Sequence, residues 1–311
     1  MMTMTMSSDH ISKIADGAAR QGWPAAWLER GALRFTHADG FEQAARTGFF
    51  FIAQPEVPID LTAGDHFARH FHRAPYVTGD LDYRLLTDDV VGRFQGYYVR
   101  DEDQTEQFFL ESKNWSRYYP LALANQAQAM RDLSLAILRA TLTNLPIPSA
   151  LVHQATGGAL TDAGTNTLTF NHFRPEIGRR GLNIHKDSGW VTLLRSLRPG
   201  LEVLVDDEWR PITPIEGTFI VNFGCAMEIL TQNFHIPVVA ASHRVVEQRP
   251  SNHLEDRFSY ALFVDSSLDP AVSSGLHRFQ ADGTLAFHCS FETFLTDILA
   301  NTYRKDGRGL Y

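Results

Sequence analysis

The sequence predicts a mainly β protein with α-helices. A jelly-roll or sandwich core is expected at about residues 165–265. A helical N-terminal portion (about 1–150), a long spine helix and a C-terminal helix (about 290–304) would flank it. Three observations carry this reading. Short β-rich runs follow one another at 167–173, 182–185, 191–194, 201–205, 219–222, 243–247 and 258–264, spaced as in an all-β sandwich or jelly roll. Turn pairs separate several of them: Pro199-Gly200, Asp206-Asp207 and Glu216-Gly217. Upstream, Met130, Leu133 and Ile137, with Leu135, Leu138, Leu142 and Leu145, recur at helical spacing over 120–145, until Pro146 and Pro148 stop the run.

The remaining elements follow in order. A short helix falls within 11–29. Residues 41–47 favour helix, and Gly48 is placed to end it. Residues 49–52 form a short buried strand, broken by Pro55 and Pro58. A helix over 61–72 has Asp60 or Thr62 as possible N-caps. From 73 to 117 the chain is irregular and dense in rings, including Phe94, Tyr97, Tyr98, Phe108, Phe109 and Trp115; these either pack a loop layer onto the core or wall a pocket. Residues 157–166 form a loop. The last helix places Phe291, Phe294, Leu295, Ile298 and Leu299 on one face, and the polar tail 304–311 is loosely held. With no internal repeat and no low-complexity linker, residues 1–311 are expected to form a single composite domain.

Composition narrows the function classes. A net charge of −8 argues against a nucleic-acid binder, which usually carries a basic patch. The two cysteines, Cys225 and Cys289, form neither a metal-ligand pattern nor a disulfide framework, which points to a reduced compartment. No run approaches the roughly 18–20 apolar residues of a membrane span. The first ten residues lack the basic and apolar regions of a secretory leader. The expectation is a cytoplasmic protein with a small-molecule partner and neither a nucleic-acid nor a membrane partner; its oligomeric state is not legible.

Chemistry concentrates at His185-Lys186-Asp187. In a strand, residues two apart share a face, so His185 and Asp187 could hold one metal ion. Among thirteen histidines, His243 opens a β-branched run after a long loop and could return to the same place. Two imidazoles and a carboxylate on one face of a metal leave positions open and suit non-haem Fe(II). Zinc hydrolases use a similar set but commonly on a His-Glu-x-x-His helix, which is absent. Taken alone, His185 could equally be a solvated strand histidine. Arg257 and Ser259 share a strand face after His243; a guanidinium and a hydroxyl can grip a carboxylate.

These blocks carry a resemblance. His185-x-Asp187-x-Gly189-x-Val191-Thr192-Leu193-Leu194 is followed by Gly200-Leu201-Glu202-Val203, Trp209, Pro214 and Gly217. Then come Val221-Asn222-Phe223-Gly224, His243-Arg244-Val245-Val246 and Arg257-x-Ser259. Together with Gly48-Phe49-Phe50-Phe51-Ile52 and Gly96-Tyr97-Tyr98, they resemble the isopenicillin N synthase-like group of iron(II)- and 2-oxoglutarate-dependent dioxygenases, from about residue 40 to 265. The resemblance implies a double-stranded β-helix. It implies His185, Asp187 and His243 as catalytic iron ligands, and Arg257 and Ser259 as binders of the distal carboxylate of 2-oxoglutarate, with Asn171 near that co-substrate. It also implies consumption of O2, with release of succinate and CO2 and oxidation of a substrate. Halogenating relatives have a small residue in place of Asp187, so the carboxylate implies hydroxylation, desaturation or ring closure. Phe173 departs from the family's Asn-x-Tyr motif, which puts one co-substrate hydrogen bond in doubt. Cys225 stands where an acidic residue is common. The gap from His243 to Arg257 is long, with 249–256 expected as a loop.

Hydroxylation of a natural-product or amino-acid-derived molecule in secondary metabolism is the reaction expected. The alternatives are an oxidase that dispenses with 2-oxoglutarate, with Arg257 and Ser259 gripping the substrate's own carboxylate, and a non-catalytic receptor. Candidate substrate-pocket residues are Phe94, Tyr97, Phe109, Trp115, Trp190, Arg195 and Met227, with the C-terminal helix. Lys186 is expected to be a solvated charge, pointing away from the metal.

Overall fold

The computed structural model describes residues 8–75, 81–251 and 255–302. In chain order the elements are α1 (Ser8–Ala19), β1 (Ala25–Glu29), β2 (Ala32–Phe35), α2 (Gly40–Thr47), β3 (Phe49–Ala53), α3 (Thr62–Ala68) and α4 (Asp88–Val91). Next come β4 (Gly96–Val99), β5 (Thr105–Glu111), α5 (Ser112–Tyr118), α6 (Leu121–Thr143), α7 (Ser149–Ala155), β6 (Thr165–Phe173), β7 (Leu182–His185) and β8 (Val191–Ser196). Then follow β9 (Leu201–Val205), β10 (Glu208–Ile212), β11 (Thr218–Phe223), α8 (Cys225–Thr231), β12 (His243–Val245) and β13 (Arg257–Asp265), and last β14 (Leu276–Phe279), β15 (Leu285–Cys289) and α9 (Phe291–Thr302). The tail 304–311 lies outside the described residues.

A nine-stranded sheet, ordered β2-β1-β3-β11-β8-β13-β6-β5-β4, opposes a four-stranded sheet, β10-β9-β12-β7. β14 and β15 form a separate hairpin. The N-terminal portion is therefore not simply helical. Five of the nine strands of the large sheet precede residue 112. Two physical features account for the difference. β1 and β2 are joined through Arg30 and Gly31, both at positive φ, the conformation of a tight hairpin turn. β5 carries Glu106, Gln107 and Glu111, so it lacks the apolar texture of a core strand; Gln107, Phe109 and Glu111 face a cavity instead. The helix expected over 61–72 ends at Ala68, and the chain goes on in turns, with His70 and Arg73 amides bonding Phe67 and His70 carbonyls.

Strand alternation sorts the large sheet into two faces. On β6, Thr165, Thr167, Thr169, Asn171 and Phe173 line the cavity; on β13, Arg257, Ser259, Ala261, Phe263 and Asp265 do so. The intervening residues, Leu168 and Phe170 on β6 and Phe258, Tyr260, Leu262 and Val264 on β13, are buried on the other face. That face packs against α6, whose Leu123, Ala127, Met130 and Leu138 belong to the same core. Burial of each large side chain contributes about 1.5–3 kcal/mol, so this outer layer fixes the sheet and leaves the inner face free for polar residues. Gln126 of α6 stitches the layers: its amide donates to Tyr260 Oη (3.1 Å) and its oxygen accepts from Gly64 N (2.6 Å). A second core of Trp23, Phe49, Phe51, Ile212 and Ile220 closes one end between the sheets. Gly48 ends α2 at φ 81°, a left-handed cap that lets β3 start at once.

Candidate active site

His185 is the last residue of β7, and His243 the first of β12, and the two are register partners in the small sheet. Their rings lie 4.1 Å apart between centroids. Asp187 lies beyond the end of β7, so the strand argument for its orientation does not hold. The loop brings it in: Cys225 N donates to the Asp187 carbonyl (2.8 Å), and Asn222 Nδ2 donates to Oδ2 (3.1 Å). Asp187 Oδ1 then lies 3.9 Å from His185 Nε2 and 3.6 Å from His243 Nε2.

Both imidazoles are oriented from behind. His185 Nδ1 donates to the Asn183 carbonyl and His243 Nδ1 to the Ala241 carbonyl, each at 2.9 Å. With the proton on Nδ1, Nε2 presents a lone pair toward the carboxylate, the usual second-sphere arrangement of a metal-binding histidine. Burial first, and His243 second, hold His185 down to about 3, so its ring is neutral. Burial first, and Asp187 second, push the neighbouring Asp265 up to about 7.

Across the cavity, Arg257 opens β13 opposite Phe173 and beside Ser259. Its Nε donates to the Pro199 carbonyl (3.1 Å), its Nη2 to Ser196 Oγ (3.0 Å), and its guanidinium carbon lies 4.5 Å from the centre of the Phe173 ring. Nη1 is buried with no partner. Burial first, and Arg198 second, lower Arg257 to about 9. Phe173, in place of a tyrosine, thus provides a face on which the guanidinium lies. Asn171 is the register partner of Ser259, donates to its Oγ (3.5 Å), and accepts from Gln107.

Of the expected substrate residues, Phe94 and Phe109 line this cavity, together with Leu295 and Ile298 of α9. The other five lie elsewhere. Leu194 faces the cavity, so the next residue, Arg195, points to the opposite face and pairs with Asp65 at 3.1 Å. Tyr97 is opposite Phe108 in the ladder, on the outer face, and donates to Glu106. Trp115 is buried between α5 and the core, its indole donating to the Leu110 carbonyl (2.8 Å). Trp190 is anchored to Ser266 Oγ (3.0 Å), and Met227 is buried in the first turn of α8. Lys186 also departs from expectation. It follows the end of β7, so alternation does not turn it outward; its Nζ lies 3.0 Å from both Glu228 oxygens, at the cavity wall.

Two residues escaped the sequence reading as contributors. Asn222 positions Asp187, and its signal was an amide inside the apolar run 219–223. Gln107 supports Asn171, and its signal was the polar alternation of β5.

Two facing sheets with a His-Asp-His cluster between them, Asp187 and His243 buried and His185 partly so, define a double-stranded β-helix with a metal-site geometry. Residues 165–266 match the sequence model of the 2OG-Fe(II) oxygenase superfamily. Protein DMR6-LIKE OXYGENASE 1 of Arabidopsis thaliana is 30% identical over 48% of this chain and 41% of the relative. The 1-aminocyclopropane-1-carboxylate oxidase 5 of the same plant is 26% identical over 60% of this chain and 62% of the relative. The chain thus spans less than two thirds of either. Among solved structures, JOX2 in complex with 2OG, Fe and JA superposes with a TM-score of 0.66 at 21% identity, covering 89% of this chain and 84% of that one. The dioxygenase for auxin oxidation of rice gives 0.64 at 21% identity, covering 93% and 98%. These structures share the fold.

Proposed function

We propose that this protein is an Fe(II)- and 2-oxoglutarate-dependent oxygenase that hydroxylates a small molecule. The observation that carries the reading is the convergence of His185, Asp187 and His243 in a cavity that also holds a buried arginine with an unpartnered N–H. The donor set fits Fe(II): two imidazoles and one carboxylate bring their ligand atoms within 4.8 Å of one another. The anchor fits a dicarboxylate: Arg257 Nη1, Ser259 and Asn171 are the groups that would receive the distal carboxylate of 2-oxoglutarate.

Bound Fe(II) would supply activation of O2 coupled to conversion of 2-oxoglutarate to succinate and CO2. The chain's own residues do the rest. Asn183 and Ala241 carbonyls and the Asn222 amide hold the three ligands in place. Phe94, Phe109, Leu295 and Ile298 supply apolar wall that would orient the substrate and exclude water. A natural-product or amino-acid-derived substrate in secondary metabolism suits a cavity mixing these groups with the threonine row of β6. A cytoplasmic setting is supported by Cys225 and Cys289, which form no disulfide. Among the described residues no helix is long and apolar enough to cross a membrane.

A second reading is an oxidase that needs no 2-oxoglutarate, with Arg257 and Ser259 holding the substrate's carboxylate; the similarity to 1-aminocyclopropane-1-carboxylate oxidase 5 favours it. Succinate formation decides between them. Protein reloaded with Fe(II) and given 2-oxoglutarate and a substrate pool is expected to release succinate and yield a product heavier by one oxygen. His185→Ala should reduce succinate to background. Undiminished succinate from that variant would sink the proposal.

A further inference from the structure

A second cluster lies on the other face of the large sheet. His172 is the residue between Asn171 and Phe173, which line the cavity, so it points away from them. There, His72, Glu106 and His172 each bring a ligand-type atom within 4.8 Å of the others. His172 Nδ1 lies 2.5 Å from Glu106 Oε1, and its Nε2 lies 3.0 Å from Asp256 Oδ2. The Tyr97 hydroxyl donates to the other Glu106 oxygen. His72 stacks on His172 at 3.9 Å between centroids, and its buried Nδ1 has no partner.

We propose that His72, Glu106 and His172 form a second metal site, for a zinc-class dication, with a structural role. Two imidazoles and a carboxylate are a zinc donor set, water completing the tetrahedron. What separates this cluster from a casual group of polar residues is the support behind it. The far nitrogen of His172 meets Asp256, and the far oxygen of Glu106 meets Tyr97. Such outer partners orient metal ligands and raise their basicity. The ion would replace the proton now shared by His172 and Glu106. It would also give His72 a partner once that ring turns out of its stack, because parallel rings aim their lone pairs side by side. Burial first, and His172 second, hold His72 down to about 4, so the ring is neutral and able to ligate.

The consequence is mechanical. The ion would tie the segment after α3 to β5 and β6. Through Asp256, the residue before Arg257, it would also tie them to the start of β13. It would therefore brace the end of β13 that presents the proposed carboxylate anchor.

The test is made on the full-length chain carrying His185→Ala and His243→Ala, which disable the first cluster, after chelator treatment. Calorimetric titration with Zn(II) is expected to show one ion per chain with micromolar or tighter affinity, and melting should shift upward with zinc. Adding His72→Phe, which retains a ring on His172, should weaken binding at least tenfold. Glu106→Gln serves as a second variant of unchanged shape should His72→Phe not fold. Absence of zinc binding in the doubly substituted chain, or binding unaffected by both further changes, would overturn the site and leave a hydrogen-bonded network. Neither result bears on the iron site, which is absent from the protein tested.

Discussion

Replacing Arg257 by methionine separates the proposed anchoring of 2-oxoglutarate from stability of the fold. The guanidinium makes two hydrogen bonds to the protein, lies over Phe173, and keeps Nη1 buried without a partner. Methionine keeps much of the length and can still lie on the ring. It removes a desolvated charge that has no counter-ion among the described side chains in hydrogen-bond contact with it, so the free protein should lose little stability. Binding is different. Truncating one partner of a buried, hydrogen-bonded charge pair costs about 2–5 kcal/mol. Taking about 3–4 kcal/mol, 2-oxoglutarate should bind roughly two to three decades more weakly. The assay is anaerobic melting with Fe(II) and 2-oxoglutarate. Unfolding entropy of about 2.1 cal/mol/K per residue gives about 0.65 kcal/mol/K for 311 residues. At a hundred times its Kd, 2-oxoglutarate adds about 2.7 kcal/mol, a rise of about 4 °C. At the same concentration the variant should rise by less than about 1 °C. An undiminished rise in Arg257→Met would show that the carboxylate is held elsewhere.

Asn222→Ala removes the amide that fixes Asp187 Oδ2 and should weaken Fe(II) or Co(II) affinity by about 10- to 100-fold, read by competition with a chelating dye. Gly224→Ala would drive a Cβ into the backbone carbonyl oxygen of Gly189 and should cost about 1–3 kcal/mol in urea unfolding. In chelator-treated protein, His72 is held from 6.5 down to about 4 by burial and His172. Between those values the unfolded chain binds the proton and the folded chain does not. Stability should therefore rise with pH across this window and be lost as pH falls through it; His72→Phe should flatten the slope of melting temperature against pH.

Several parts of the protein were determined by sequence alone. Apolar spacing of three and four set α6, because a helix must put one stripe on the sheet. Turn residues between β-branched runs set β6 to β9 and β11 to β13. The set His185, Asp187 and His243 was legible as a candidate, from its residue types and from the resemblance carried by the blocks around it. Pairing decided the rest. β5 became a sheet strand because its polar side faces a cavity, which no periodicity announces. Arg195 and Tyr97 fell on the outer face because pleating reverses direction at each residue, and only the pairing of Arg195 with Tyr260 and of Tyr97 with Phe108 tells which side is inner. Asp187 reached the histidines through a loop held by Asn222 and Cys225, not along a strand. His72, Glu106, His172 and Asp256 are far apart in the chain, and their meeting depends on the β5–β6–β13 ladder. Side-chain type is local information, whereas which side chains share a face is fixed only when strands have found their neighbours.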